Sequence, residues 1–304
     1  MYHRKGFVMI ELRTWRQFSV LAQELHYGRA ALRLHMTQPP LSLAMQKLEQ
    51  ALGVTLFERN RRGVRLSAAG AALLPQAEAL LAQAEALPEL ARAAAAGIRG
   101  QLRLGFVSTV GYGEMPAWLR QFRERFPEVA LQLREATLDV QLQAFERGEL
   151  DAGFVIHAPG AAPAGFESLG LAEEPMVLAH ADGVRGATPK ALLDAPLIIF
   201  PRDIAPSLHD AVLGFYAAQG RRVQIAQEAI QMQTIVNLVS SGMGVAWVPR
   251  SVMALQRAGV SYRALRMPGL PRCETRLIWR APAAPVVEGF VAHVRQALRG
   301  PAGG

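Results

Sequence analysis

The sequence predicts a mixed α/β protein in three parts: a small basic head, one long helix, and a body of alternating strands and helices. Three observations carry that expectation. Residues 1–66 hold three short amphipathic helical patterns followed by two short strand patterns around an arginine-rich turn. From Ser67 to about Ala96 one helical pattern runs on with few charges. After Gly100, strand and helix patterns alternate, the order that produces parallel sheets.

Size and composition bound the possibilities. A chain of 304 residues suits two or three domains at the usual ~100–200 residues each. With 51% hydrophobic and 19% charged residues it can bury a sizeable core, which excludes wholesale disorder. No apolar run approaches the ~20 residues that span a bilayer. Residues 1–10 lack the apolar stretch of a secretory signal. Cys273 is the single cysteine, so neither an internal disulfide nor a cysteine-based zinc cluster can form. A cytoplasmic location and no membrane partner are the expectations.

The net charge is +8, and +7 of it falls within residues 1–66. A basic small domain on a nearly neutral body is the footprint of phosphate binding. A solvated basic face or a membrane-surface patch would carry the same charge.

Within the head, Leu12, Trp15, Phe18, Val20, Leu21 and Ala22 recur at helical spacing and predict a first helix over 12–22. A short second helix is expected over 29–35, with Ala30 and Ala31 small enough for a close crossing and Gly28 at the cap position. Met36-Thr37 makes the turn. Gln38-Pro39-Pro40 opens a third helix, where proline is tolerated because first-turn N–H groups have no intrahelical partner. Leu41, Met45, Leu48 and Leu52 form its inner face. Pro39, Leu43, Gln46 and Lys47 point the other way, flanked by Gln38 and Ser42, which is how a recognition helix is offered to the major groove. Strand patterns around Asn60-Arg61-Arg62-Gly63, with Arg59 and Arg65 on their arms, read as a basic wing for phosphates or the minor groove. The head is therefore predicted to be a winged helix-turn-helix. Three ordinary bundle helices with a charged hairpin remain the alternative at this point.

The motifs resemble a known family. Ala30-Ala31, Gln38-Pro39-Pro40-Leu41-Ser42, Leu48-Glu49, Leu52-Gly53-Val54, Leu56-Phe57-Glu58-Arg59 and Leu66-Ser67-x-Ala69-Gly70 run in the register of the LysR-type transcriptional regulators. Members usually begin at a position matching Met9, so residues 1–8 read as an extension or a mis-assigned start. The resemblance implies double-stranded DNA as a partner, with contacts from Gln38, Pro39, Ser42 and Leu43, and phosphate contacts from Arg29 and the wing residues Arg59, Arg61, Arg62 and Arg65. Leu43 stands where the family often has a polar or basic residue. It can meet a thymine methyl but cannot make a bidentate contact to guanine.

Ser67 is a good N-cap for the long helix. Leu73, Leu74, Ala77, Leu80, Leu81, Ala84, Leu87 and Leu90 keep three- and four-residue steps, leaving a stripe that needs covering, by a second chain or by the chain's own body. The resemblance favours self-association there, as a dimer or tetramer. It also implies that the body is an effector-binding domain of two α/β lobes, of periplasmic-binding-protein type. The expected domains are 1–66 (winged helix-turn-helix), 67–98 (linker helix) and 99–304 (effector domain). The first lobe would comprise about 101–171 with 272–300, and the second about 172–271.

Ligands of open α/β sheets sit at strand carboxyl ends, beside helix N-termini. Ser108 and Thr109 follow the first body strand and Thr137 follows the second; each is equally readable as a helix cap. The body resembles the aromatic-catabolism (benzoate- and muconate-responsive) branch, in which Ser108, Thr109, Thr137, Pro206, Ser207 and Leu208 match positions lining the cleft. The expected effector is a small aromatic or dicarboxylic acid, and RNA polymerase is a further expected partner. Gly242-x-Gly244 lacks the context of a dinucleotide site, the seven histidines show no ligand spacing, and no nucleophile motif occurs. Neither a cofactor, a metal nor a catalytic activity is expected. The functional expectation is an effector-responsive DNA-binding regulator; a cytosolic receptor or α/β enzyme without DNA binding is the alternative.

Overall fold

The computed structural model describes residues 9–60, 63–184 and 188–299. The chain divides into two compact units, Met1–Arg92 and Ala93–Gly304.

In the first unit, α1 (Leu12–Glu24) buries Phe18, Leu21 and Ala22 and stops at Leu25, which adopts the left-handed conformation. The second helix, α2 (Tyr27–Arg33), starts earlier than its sequence pattern indicates. Its cap is His26, whose ring Nδ1 accepts the Arg29 N–H at 3.2 Å. The expected cap, Gly28, instead lies in the first turn, where an added Cβ would stand 3.1 Å from the His26 ring. An imidazole thus performs the capping usually given to serine or threonine. Helix α3 (Gln38–Leu52) buries Leu41, Met45 and Leu48. Leu52, expected inside, is 36% exposed. It occupies the last helical position before Gly53 turns the chain, and Leu56 and Phe57 fill the core instead.

Strands β1 (Phe57–Asn60) and β2 (Gly63–Leu66) pair antiparallel, Phe57 opposite Leu66. The Glu49 carboxylate accepts the N–H groups of Leu56 and Phe57 at 2.7 and 3.0 Å, which ties α3 to the hairpin. Ser67 caps α4 (Ala68–Ala95): its Oγ accepts from Gly70 N at 3.0 Å and donates to Thr55 O at 2.6 Å. Gly70 is required there, since a Cβ would fall 2.3 Å from the Leu56 carbonyl oxygen. Along α4 only Gly70 and Ala77 are buried, while Leu80, Leu87 and Leu90 are exposed.

The second unit begins with β3 (Gly100–Phe106), α5 (Met115–Arg125), β4 (Val129–Glu135), α6 (Leu138–Glu146) and β5 (Ala152–His157). Strand β3 runs parallel to both β4 and β5. A long strand, β6 (Glu167–Ala181), follows, then α7 (Pro189–Leu193), β7 (Leu197–Ile199), α8 (Pro206–Ala218) and β8 (Ile225–Glu228). The chain continues through α9 (Met232–Ser240), β9 (Ala246–Pro249), β10 (Val260–Arg263), β11 (Arg272–Trp279) and α10 (Pro285–Leu298).

Strand β6 belongs to two sheets. Its first half completes the order β4-β3-β5-β11-β6, and its second half is flanked by β9 and β10. The change falls at Pro175: Arg272 lies opposite it, and Met176 donates its N–H to Pro271 O at 3.0 Å. Parallel β7 and β8 extend the second sheet through a bridge from Leu197 to Val245. The first lobe packs Leu102, Leu104, Phe122, Phe154, Leu277 and Phe290, all fully buried. The second packs Leu178, Val212, Tyr216, Val236, Trp247 and Val248. At about 1.5–3 kcal/mol for each large apolar side chain buried, these cores carry the fold.

Candidate functional site

Two surfaces merit attention, one on each unit. On the head, burial of Leu41, Met45 and Leu48 at about 100° per residue turns Gln38, Pro39, Leu43, Gln46 and Lys47 outward, and all five are exposed. Ser42 is half-buried on the flank. Leu43 stands almost opposite the buried stripe and is 52% exposed, in a position where water gains nothing from it. The Arg29 guanidinium is exposed and bound to Glu24, through the carboxylate at 3.3 Å and the carbonyl oxygen at 2.6 Å; Arg33 shares the same carboxylate at 3.2 Å. On the hairpin, Arg65 pairs across the strands with Glu58 at 2.5 Å. Arg59 lies in β1 opposite Val64, while Arg61 and Arg62 lie outside the described residues.

In the body, a cleft opens where the parallel strands end. The first lobe lines it with Val107, Ser108 and Thr109 after β3, with Glu135 to Leu138 between β4 and α6, and with Ile156 at the end of β5. The second contributes Phe200, Ile204, Ala205 and Leu208 around the start of α8, and Ile230 to Met232 at the start of α9. Met176 and Pro249 also line it. Helices α6, α8 and α9 all begin here, and none receives a side-chain cap. Unpaired first-turn N–H groups therefore converge on one volume.

Of the sequence-derived cleft residues, Ser108, Thr109, Thr137 and Leu208 line this space together. Pro206 and Ser207 are not among its lining residues; the Ser207 hydroxyl accepts from Ala158 N at 3.2 Å and thereby joins α8 to the end of β5. Thr109 is 8% exposed, and its Oγ1 is buried without a partner. Such a group costs roughly 1–3 kcal/mol until something bonds to it. Sequence patterns did not single out Met176, Phe200, Ile230 or Pro249, because an apolar cleft residue has the same signature as a core residue. Glu135, the last residue of β4, had a usable signal in its place at a strand's carboxyl end.

Gln141 braces the first lobe's side of the cleft from behind. Fully buried on α6, it donates from Nε2 to Ala136 O at 2.9 Å and to Phe154 O at 3.2 Å, which fixes the loop carrying Thr137. Gly105 and Gly153 make room for it: a Cβ there would lie 2.7 and 2.4 Å from its Oε1. Burial, with Glu135 nearby, pushes the Tyr112 phenol above its ordinary pKa, so it remains a neutral hydrogen-bonding group. Cys273 is fully buried and donates to Glu174 O at 3.7 Å; burial drives its pKa up, so it stays an unreactive thiol. Among the described residues no cluster of potential metal ligands occurs, and no helix is long and apolar enough to cross a membrane.

Comparison with known proteins covers both units. Residues 12–71 match the bacterial regulatory helix-turn-helix protein, lysR family. Residues 95–299 match the LysR substrate binding domain. The chain is 46% identical over 292 residues to the HTH-type transcriptional regulator IlvR of Caulobacter vibrioides, covering 94% of this chain and 98% of that one. It is 36% identical to the HTH-type transcriptional regulator AlsR of Bacillus subtilis, over 84% and 86% of the two chains. Among solved structures, full-length CbnR complexed with its target DNA superposes with a TM-score of 0.77 at 30% identity, over 95% of this chain and all of the other. Its relatives are named regulators rather than enzymes, as the absence of a nucleophile motif led one to expect. This chain belongs to the LysR family of DNA-binding transcriptional regulators.

Proposed function

We propose that the protein is an effector-responsive regulator in which a small carboxylate, held in the cleft between the lobes, alters how the head engages its operator. The convergence of three uncapped helix N-termini on the cleft is the observation that carries this reading. Helix α3 enters the major groove with Gln38, Pro39, Ser42 and Leu43 toward base edges. Arg29, Arg59, Arg61, Arg62 and Arg65 take phosphates. The exposed leucines of α4 pair with a second copy of the chain, and dimers assemble into tetramers in the cytoplasm. RNA polymerase is the partner through which the bound regulator would act.

Coupling requires the ligand to prefer one arrangement of the lobes, since a ligand indifferent to them shifts nothing. Nuclease footprints of the full-length protein on its own promoter, with and without small carboxylates, test the reading. A footprint that shortens or changes its hypersensitive sites is the expected result. An unchanged footprint with the cleft saturated would overturn the coupling.

A further inference from the structure

We propose that the cleft selects a singly charged carboxylate with a compact apolar body and rejects dicarboxylates. This rests on the effector reading above and specifies the ligand's charge, setting aside the dicarboxylic acid that resemblance alone also allows.

Attraction for one carboxylate is built in. Helices α8 and α9 present first turns without an acidic residue and without a side-chain cap. Helix α6 is also uncapped, but Asp139 in its first turn already answers its positive end. The strongest positive poles therefore belong to the second lobe. From the first lobe comes Thr109, nine-tenths buried, with its hydroxyl unpartnered in the same cleft. A carboxylate between them accepts N–H bonds from one lobe and the Thr109 hydroxyl from the other.

A second carboxylate has no such place. Among the described lining residues there is no arginine, lysine or histidine, and the one charged side chain is the acid Glu135. Apolar side chains, among them Val107, Ile156, Met176, Phe200, Leu208 and Ile230, form most of the remaining wall. Burying an anion against such a wall forfeits its hydration without a counter-ion, and Glu135 adds repulsion. Backbone dipoles can hold one charge at their focus; they do not follow a second charge to the far end of the ligand.

The test is calorimetric titration of the full-length protein with matched probes. Isovalerate is compared with methylsuccinate, which is isovalerate with one methyl converted to a carboxylate, and with the neutral isovaleramide. Cyclohexanecarboxylate is compared with its para-dicarboxylate, at a pH where every carboxyl is ionised. Each dicarboxylate and the amide should bind at least about tenfold more weakly than the parent monoacid. Thr109→Val should weaken the monoacids, and Glu135→Gln should narrow the gap between mono- and dicarboxylate. Dicarboxylates that bind as tightly as their parents, in a way that still depends on Thr109, would overturn the charge rule and leave the cleft as the effector site. If no probe of either charge binds, or if binding ignores Thr109→Val, the effector reading falls and this proposal with it.

Discussion

The described arginine and lysine side chains of the head stand in water, whereas the cleft of the body carries no cationic side chain among its described lining residues and offers N–H groups and hydroxyls in an apolar wall. The difference fits what each surface is proposed to face. A DNA backbone is an extended row of charges, best met by long side chains that adjust, and its affinity comes largely from released counter-ions. An enclosed small ion needs fixed dipoles at short range and gains little from charges that salt can screen. Even within the head the cations are not idle: Arg29 and Arg33 share Glu24, and Arg65 holds Glu58, so under the proposed reading any phosphate they take must displace a protein carboxylate.

Salt separates the two surfaces most sharply. Raising it from about 50 to 200 mM should weaken operator binding roughly a hundredfold for about four phosphates neutralised, while acid binding to the cleft should change less than about twofold. Anisotropy and calorimetry on one preparation measure both, and equal salt slopes would erase the contrast. Arg62→Ala should lower the DNA slope by about one.

Next in size is the support beneath Thr137. Gly153→Ala places a methyl 2.4 Å from Gln141 Oε1, which should cost the body roughly 1–3 kcal/mol. Thermal unfolding should show the loss, and acid binding should weaken because the Thr137 loop loses its anchor. Unaltered operator binding would show that the damage stays in the body.

A smaller effect isolates Leu43. Replacing single operator thymines with deoxyuridine removes only a methyl, worth about 0.8 kcal/mol when buried. One position per half-site should lose roughly fourfold in affinity, and Leu43→Ala should abolish that sensitivity. If the wild-type protein ignores every such replacement, Leu43 reads no methyl. The smallest effect is expected from Glu24→Gln, which frees Arg29 and Arg33 and should raise operator affinity by about twofold or less, because exposed pairs are weak. A loss of affinity would mean that Glu24 orients the arginines rather than restraining them.

The head was largely legible because its motifs, its amphipathic stripe and its charge agree over a continuous stretch. In the body, strand β4 and helix α10 keep a single period from end to end, so their patterns are plain in the sequence. Strand β6 was not. Glu173, Glu174 and Pro175 interrupt its apolar pattern where it leaves one sheet for the other, so its two halves look like separate segments. The His26 cap was invisible because imidazole is an uncommon cap, and the sequence could not tell whether a hydroxyl such as that of Ser207 would meet a ligand or a backbone amide. Hydroxyls at the ends of strands could be nominated; which of them share a volume is a matter of topology.

The crossing at Pro175 gives the body a mechanical character. Two extended strands, joined by the Met176-to-Pro271 hydrogen bond, carry the backbone from one lobe to the other. Such a ribbon resists stretching and shearing but yields to torsion, so it behaves as a short torsion bar whose easy motion is a twist of one lobe against the other. Met176, at the crossing, also lines the cleft, so the proposed effector would sit beside the axis of that bar.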